Sequence, residues 1–172
     1  MVEFFKKYVR ISKCIMDKLV NIFILNWNGK LMTLDCLRSL EKVTYPNINI
    51  VLIDNGSTDG SVNLIKKEFP NIEIIQSKEN LGYAGGNNYG FKNVKIQSEY
   101  SIFINNDTLV SPNFINPLIK PLKNDSLIMQ TSPKIFYADD PNLLWFTGGY
   151  LNLLFGWIRH RGIRKIDKGQ YN

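Results

Sequence analysis

The stretch VLIDNGSTDGS at residues 51–61 decides the fold. The apolar residues that open it complete a β-branched run from position 48, which predicts a strand at 48–53 that is buried on both faces, as central strands of parallel sheets are. The hydroxyl and carboxylate side chains that close it are typical of a helix start, because they can bond the exposed amide groups there. A strand followed at once by a helix predicts a crossover unit of an α/β protein.

The same alternation continues on both sides of this stretch. Further strands are predicted at 20–25, 72–75 and 100–104, with a fifth candidate at 127–130. Helices are predicted at 30–40, from within 57–61 to Pro70, and at 85–95. Short β-branched runs separated by helical patterns are the signature of a mostly parallel sheet built through crossover helices. We therefore predict one α/β domain over residues 20–172.

The charge of the chain is unevenly placed. Residues 1–19 and 156–172 together contain ten Lys and Arg against three acids, whereas the whole chain has a net charge of +6, so the middle is close to neutral. A nucleic-acid binder would carry its basic residues over a platform or helix in that middle, and we therefore predict no nucleic-acid partner. The basic ends suit an acidic membrane surface better.

Residues 1–19 have the pattern of a basic amphipathic helix. Their apolar residues recur every three or four positions, with Lys and Arg between them: Phe4, Tyr8, Ile11, Ile15 and Leu19. Such a helix packs on its own domain or lies at a membrane interface, and a disordered segment is the third alternative. No apolar run approaches the roughly 20 residues that span a bilayer, and two cysteines without a CxxC motif fit a reducing compartment. We expect a cytoplasmic protein, with peripheral contact to the inner face of the membrane as the alternative.

Polar residues follow three of the predicted strands, at 26–29, 54–57 and 105–107, and the edge of the sheet where strands end is where α/β proteins bind ligands. Asp54, with both carboxylate oxygens free, can accept a hydrogen bond from a nucleotide base, or it caps the next helix through an Asx turn. Asp107 is a candidate ligand for Mg²⁺ or Mn²⁺, since one carboxylate suffices when phosphates and water complete the shell. A simple turn cap is its alternative.

Aromatic and glycine residues supply weaker signals. Trp27 can stack on a nucleotide base or fill the core, and Trp145 and Trp157 are predicted to be packing residues. The segment LGYAGGNN at 81–88 predicts a flexible loop that lets the backbone approach a ligand, or else a tight connection without a ligand role. It is not GxGxxG after the first strand, which argues against a dinucleotide site.

Four motifs taken together resemble the family 2 glycosyltransferases, particularly their rhamnosyltransferase-like branch. They are FILNWNG at 23–29, VLIDNGSTDGS at 51–61, NLGYAGGNN at 80–88 and NNDT at 105–108. The resemblance covers residues 20–172 and implies the GT-A fold, a Rossmann-like nucleotide-diphospho-sugar transferase fold with a mostly parallel sheet flanked by helices. It also implies inverting, metal-assisted transfer from a UDP- or dTDP-sugar, dTDP-rhamnose among them, to a glycan or lipid-linked acceptor in polysaccharide biosynthesis of the cell envelope.

The resemblance further implies the residues of the site. The nucleotide-sugar-binding residues would be Leu25, Trp27, Asp54, Asn55, Gly82 and Asn106, with Asp107 as the metal ligand. Leu25 and Trp27 would line the base pocket, and Asp54 would bind the base. Asn106 would lie near the ribose, in a loop where the acidic DxD of the family is Asn-Asn-Asp.

The resemblance places the general base outside the visible motifs. Family members usually continue well beyond this point, so the base is expected beyond Asn172, and a complementing C-terminal half is an expected partner. The alternative is a non-catalytic nucleotide-sugar-binding remnant or one half of a split enzyme. A sugar nucleotidyltransferase is a weaker alternative, because residues 26–30 lack the Gly-rich, Arg-containing loop of those enzymes.

Overall fold

The structure, a computed structural model, describes residues 17–171. The chain forms two compact units. The first contains the chain up to Leu37 and Pro46–Thr108, and the second contains Arg38–Tyr45 and the chain from Leu109 onward. The predicted N-terminal helix lies outside the described residues, except for positions 17–19, which are not helical. Among the described residues, no helix is both long and apolar enough to cross a bilayer.

The first unit is a parallel sheet with helices on both faces. Its strands, in the spatial order β3-β2-β1-β4, are β1 (Val20–Asn26), β2 (Ile48–Asp54), β3 (Glu73–Gln76) and β4 (Tyr100–Asn105). Its helices are α1 (Lys30–Leu40), whose last three residues belong to the second unit, α2 (Ser61–Glu68) and α3 (Gly82–Asn93). The predicted parallel sheet and crossover helices are confirmed. Each strand ends one residue later than predicted, because backbone pairing continues beneath the polar residue that closes each apolar run.

The core of the first unit lies on both faces of β1 and β2. On the α3 side, Phe23, Val51 and Ile53 pack with Val94. Gly90 of α3 lies directly on the sheet, and a Cβ atom there would overlap the Ile53 side chain. The helix can therefore approach the sheet this closely only with glycine at position 90.

The segment predicted as a flexible glycine-rich loop is helical instead. Helix α3 begins at Gly82, where the Asn80 Oδ1 atom accepts the backbone N–H at 2.8 Å. A Cβ atom at Gly86 would lie 2.6 Å from Leu25 Cδ1, so this glycine permits close packing on β1. The prediction of a loop over 81–88 is thus wrong, because α3 begins at Gly82 and packs on the sheet through Gly86.

The start of α2 is organised by one carboxylate. Its N-cap is Gly60, at φ 77°, with no side-chain cap. Asp59 instead accepts the backbone N–H of Ser61 at 2.9 Å and that of Lys30, at the start of α1, at 3.1 Å. Burial acts to raise the pKa of Asp59, but these hydrogen bonds and the Lys30 charge outweigh it and hold the pKa below its usual value. The carboxylate therefore joins the starts of two helices.

The second unit contains one helix and five short strands. They are α4 (Ile115–Asn124), β5 (Ile135–Tyr137), β6 (Asp140–Phe146), β7 (Gly149–Asn152), β8 (Trp157–His160) and β9 (Lys165–Ile166). Strands β5, β6 and β9 form one antiparallel sheet, and β7 and β8 form a hairpin.

The fifth strand predicted at 127–130 is wrong. This segment is a turn after α4, in which the Asp125 carboxylate accepts the Leu127 N–H at 2.9 Å. The side chains of Leu127 and Met129 are 88% and 94% exposed, so no burial stabilises an extended strand there.

Candidate functional site

The carboxyl edge of the parallel sheet brings the predicted site residues together. Asn26 of β1 lies in register with Asp54 of β2, and Leu25 lies in register with Asn105 of β4. Asp107 follows β4 by two residues. Asp54 and Asp107 therefore lie at the same edge of one sheet, where proteins of this architecture bind ligands.

Asn26 is the centre of this edge, although it is not among the predicted site residues. Its side chain is fully buried and links β1 to β2, α1 and α2. The Nδ2 atom lies 2.9–3.1 Å from three acceptors: Asp54 Oδ1, Ser57 Oγ and Ser61 Oγ. The Oδ1 atom accepts from the Gly29 N–H at 3.1 Å and from Thr33 Oγ1 at 2.9 Å. The signal in the sequence is an amide residue that closes a mostly apolar strand.

Asp54 is held inside this network. Its side chain is 1% exposed, and its Oδ1 atom accepts from Asn26 at 3.1 Å while its Oδ2 atom accepts the Ser57 N–H at 3.2 Å. The expectation that both oxygens are free is wrong, because β2 extends to Asp54 and draws the carboxylate into the sheet. The bond to Ser57 spans three residues and lies before the start of α2, so it is neither the Asx turn nor the helix cap that the sequence offered as the alternative.

Hydrogen bonds continue from Asn26 to the candidate metal loop. Thr33, buried on α1, has its Oγ1 atom 2.9 Å from Asn26 Oδ1 and accepts from Asn106 Nδ2 at 3.0 Å. Gly29 lies so close to Asn106 that a Cβ atom there would overlap the amide. A continuous chain, which we call the edge network, thus runs from Asp54 through Asn26 and Thr33 to Asn106.

Asp107 extends from the end of this network toward solvent. Its side chain is exposed, and burial together with the Asp107 charge raises the pKa of the neighbouring Cys36 thiol to about 12. Within residues 17–171, no group of three or more His, Cys, Asp or Glu could hold a metal ion. A single exposed carboxylate fits an ion whose shell is completed by phosphates and water, as Mg²⁺ sites commonly are.

Trp27 and Leu25 take different positions. The indole of Trp27 is 57% exposed beyond the end of β1, so the core alternative for this residue is wrong. Leu25 is partly buried and packs against the core cluster on the α3 side of the sheet.

Asn55 holds the start of α3. It is buried, its Oδ1 atom accepts the Leu81 N–H at 3.0 Å, and its Nδ2 atom donates to Asn80 Oδ1 at 2.8 Å and Gly82 O at 3.2 Å. Asn55 and Gly82 are therefore joined to each other, and the Asn55 amide is directed at the backbone of the α3 start.

Comparison with known proteins identifies this architecture. A family model described as Glycosyl transferase family 2 matches residues 21–162. The chain belongs to glycosyl transferase family 2. Glycosyltransferase GlyG of Streptococcus pneumoniae is 26% identical over 111 residues, which cover 63% of this chain and 36% of GlyG. An uncharacterized glycosyltransferase of Rickettsia typhi is 34% identical over 104 residues, which cover 60% of this chain and 32% of the relative.

Solved structures agree on the fold. The structure of S. aureus TarS 1–349 in complex with UDP-GlcNAc superposes with a TM-score of 0.55 at 16% identity, covering 68% of this chain and 40% of that one. TarS 1–349 without that ligand gives 0.54 at 17% identity, covering 71% and 43%. This family 2 chain therefore has the GT-A fold, and it spans about a third of the length of the two relatives described.

Proposed function

We propose that this family 2 chain binds a nucleotide-diphospho-sugar at the carboxyl edge of its parallel sheet, for transfer of the sugar to a glycan or lipid-linked acceptor. The edge network carries the proposal. It fixes the loops after β1, β2 and β4 in one arrangement at the edge where α/β sheets bind nucleotides. Preorganised loops bind a ligand at a lower entropic cost than mobile ones do.

The nucleotide would lie against the loop after β1. The exposed indole of Trp27 offers a flat apolar face for a base, and Leu25 would line the same pocket. Asp54 is the proposed acceptor of a base N–H, since each carboxylate oxygen has a second lone pair beyond its described hydrogen bond. Asn106 would lie near the ribose, and Asn55 would hold Gly82 and the start of α3 in place.

Asp107 would hold Mg²⁺ or Mn²⁺ together with the diphosphate. Such an ion neutralises the negative charge that develops on a departing nucleoside diphosphate. The Thr33 hydroxyl orients Asn106, and Asn106 in turn fixes the turn that presents Asp107. In this proposal, one carboxylate of the chain would face the diphosphate.

The transfer itself is proposed for the whole protein. We propose inverting attack by an acceptor hydroxyl, with a carboxylate taking its proton, on a UDP- or dTDP-sugar as in the rhamnosyltransferase-like branch. The protein would act at the cytoplasmic side of the membrane. Because the chain spans about a third of the relatives' length, donor binding is the part of this activity that we assign to the chain.

Calorimetric titration with UDP and with dTDP, each with and without Mn²⁺, tests the proposal. We expect binding that Mn²⁺ strengthens, and we expect Asp107→Asn to abolish only the Mn²⁺-dependent part. Asp139→Asn removes an exposed carboxylate of the second unit and is the matched control. Binding without any metal dependence in the natural sequence, or an Asp107→Asn variant that responds to Mn²⁺ as before, would contradict the metal assignment.

A second candidate function is nucleotide-sugar binding without turnover. It is favoured by the metal loop, which offers one carboxylate where the DxD of the family offers two. Incubation of the chain with a UDP- or dTDP-sugar, followed by detection of free nucleoside diphosphate, separates the two functions. Release of nucleoside diphosphate faster than the uncatalysed rate, if the Asp107→Asn variant lacks it, would exclude the binding-only function.

A further inference from the structure

The tip of the β7–β8 hairpin exposes large apolar side chains. Leu153, Leu154 and Phe155 follow one another at the tip and are 86%, 86% and 73% exposed. Such a contiguous apolar surface marks a site of interaction with a protein or a membrane. Trp157, which the sequence predicts as a packing residue, is instead about half exposed beside the tip.

The apolar surface surrounds the hairpin. Leu151 and Ile158 are cross-strand partners and share one face of the ribbon, whereas Tyr150 and Trp157 lie on the other face. All four side chains are about half exposed or more. A docked protein would cover one face of such a ribbon, but a lipid bilayer would cover the tip and both faces together.

Three backbone N–H groups at and beside the tip are bonded within the hairpin. The Asn152 Oδ1 atom accepts the N–H groups of Leu154 and Phe155, both at 3.0 Å, and the Asn152 carbonyl accepts the Gly156 N–H at 2.8 Å. Gly156 closes this turn at φ 66°, a conformation that favours glycine. An amide N–H without a partner is costly in a lipid environment, so these three bonds lower the cost of placing the tip in lipid.

Basic side chains stand behind the apolar tip. Arg159 lies in β8, and three more exposed basic residues follow the hairpin: Arg164, Lys165 and Lys168. The one acid among residues 156–172, Asp167, is paired with Lys134 at 2.8 Å. Tyr and Trp beside an apolar tip, followed by positive charge, match the layers of a bilayer with an anionic surface.

We propose that the β7–β8 hairpin inserts its tip, residues 153–155, into the headgroup region of a bilayer that contains anionic lipids. This inference does not depend on donor binding, because every residue that carries it belongs to the second unit. It assigns a peripheral membrane contact to a part of the chain distinct from the basic N-terminal segment.

Co-sedimentation with vesicles tests the proposal. The vesicles contain phosphatidylglycerol and phosphatidylcholine in equal parts, or phosphatidylcholine alone. The triple variant Leu153→Ser, Leu154→Ser, Phe155→Ser should weaken binding to the anionic vesicles by at least about thirtyfold, because it removes most of the inserted apolar area. The matched control, Leu127→Ser with Met129→Ser, changes equally exposed apolar side chains of the same unit and should bind as the natural sequence does.

A charge variant tests the second half of the proposal. Arg159→Gln with Lys168→Gln should weaken binding to anionic vesicles by about fivefold per charge, whereas Lys120→Gln with Lys123→Gln on α4 should have a smaller effect. Circular dichroism establishes that each variant is folded.

Three results would overturn the proposal. The first is no sedimentation of the natural sequence with anionic vesicles. The second is undiminished sedimentation of the tip variant, which would point to the N-terminal segment. The third is a dimer of the natural sequence in sedimentation velocity without lipid that the tip variant dissociates, since a second copy would then cover the hairpin.

Discussion

Replacing Asn26 by Asp changes one atom of the edge network from a donor to an acceptor. In the natural sequence the Asn26 Nδ2 atom donates to Asp54 Oδ1 across 3.1 Å, and both side chains are buried. Asn26→Asp keeps the shape of the side chain but places a second carboxylate against the first. We expect the folded variant to keep the introduced carboxyl protonated, because two buried carboxylates at hydrogen-bond distance cannot both ionise cheaply.

The size of the effect follows from that distance. Two unit charges 3.1 Å apart repel by about 5 kcal/mol at an effective dielectric constant of about 20. This repulsion corresponds to about four pKa units, which raises the pKa of the introduced carboxyl in the folded state from about 4 to about 8. A raised folded-state pKa means that stability is kept at low pH and lost as the pH rises through this window. We expect the variant to lose about 3.5 kcal/mol between pH 4 and pH 7, but only about 1 kcal/mol between pH 4 and pH 5.

Urea unfolding followed by circular dichroism at pH 5 and pH 7 measures this difference. The matched control is Asn28→Asp in the same loop, where the side chain is exposed and already accepts the Thr58 N–H at 2.8 Å, so a carboxylate can replace it. The control should stay within about 0.5 kcal/mol of the natural sequence. Equal losses for Asn26→Asp at the two pH values, or a loss as small as that of the control, would refute the buried network.

Three further predictions concern the first unit. Gly90→Ala should cost about 1–3 kcal/mol in the free energy of unfolding, because the added Cβ overlaps Ile53, and an unchanged melting temperature would show that α3 is free to move away. The raised pKa of Cys36 means that stability should fall by about 1.4 kcal/mol per pH unit above pH 9, and Cys36→Ala should abolish this slope in urea unfolding. Asp59→Ala should cost about 1 kcal/mol in the free energy of unfolding at pH 7. This difference from the natural sequence should vanish as the pH falls below about 4, because the pKa of Asp59 is lowered in the folded state and its contribution is lost on protonation. A difference that persists in acid would contradict the role of Asp59 at the starts of the two helices.

The parallel sheet could be predicted because its strands are buried on both faces. A strand such as Ile48–Asp54 then has a nearly continuous apolar run, and its short length and the turn residues after it distinguish it from a helix. The edge of the sheet could be predicted for the same reason, since polar residues after parallel strands meet at one side. What stayed hidden is which polar atoms pair, because Asn26 looks in sequence like part of the same polar loop as Asn28.

The glycines of α3 show why one motif allowed two interpretations. A missing Cβ permits the approach of a ligand or the approach of another element, and the sequence does not say which. The answer depends on Leu25 of β1 and Ile53 of β2, which are distant in sequence and contact Gly86 and Gly90. Residues that are brought together only in the folded chain therefore determine which element these glycines allow to approach.

The second unit was hard to predict for different reasons. Helix α4 contains Pro121, which in a sequence indicates a helix break. The strands of the second unit are only two to seven residues long. The hairpin residues Leu151 and Ile158 are apolar yet exposed, so the alternation that normally marks an antiparallel strand is absent.

The edge network has a consequence for how mutational scans of this chain should be interpreted. Because Asp54 and Asn106 are joined through two buried side chains, substitutions at the four positions should show epistasis, with double variants losing less than the sum of the single losses. If the proposed donor binds at this edge, an alanine scan would assign Thr33 a large loss of ligand affinity, although its hydroxyl is buried and bonds only to other residues of the chain.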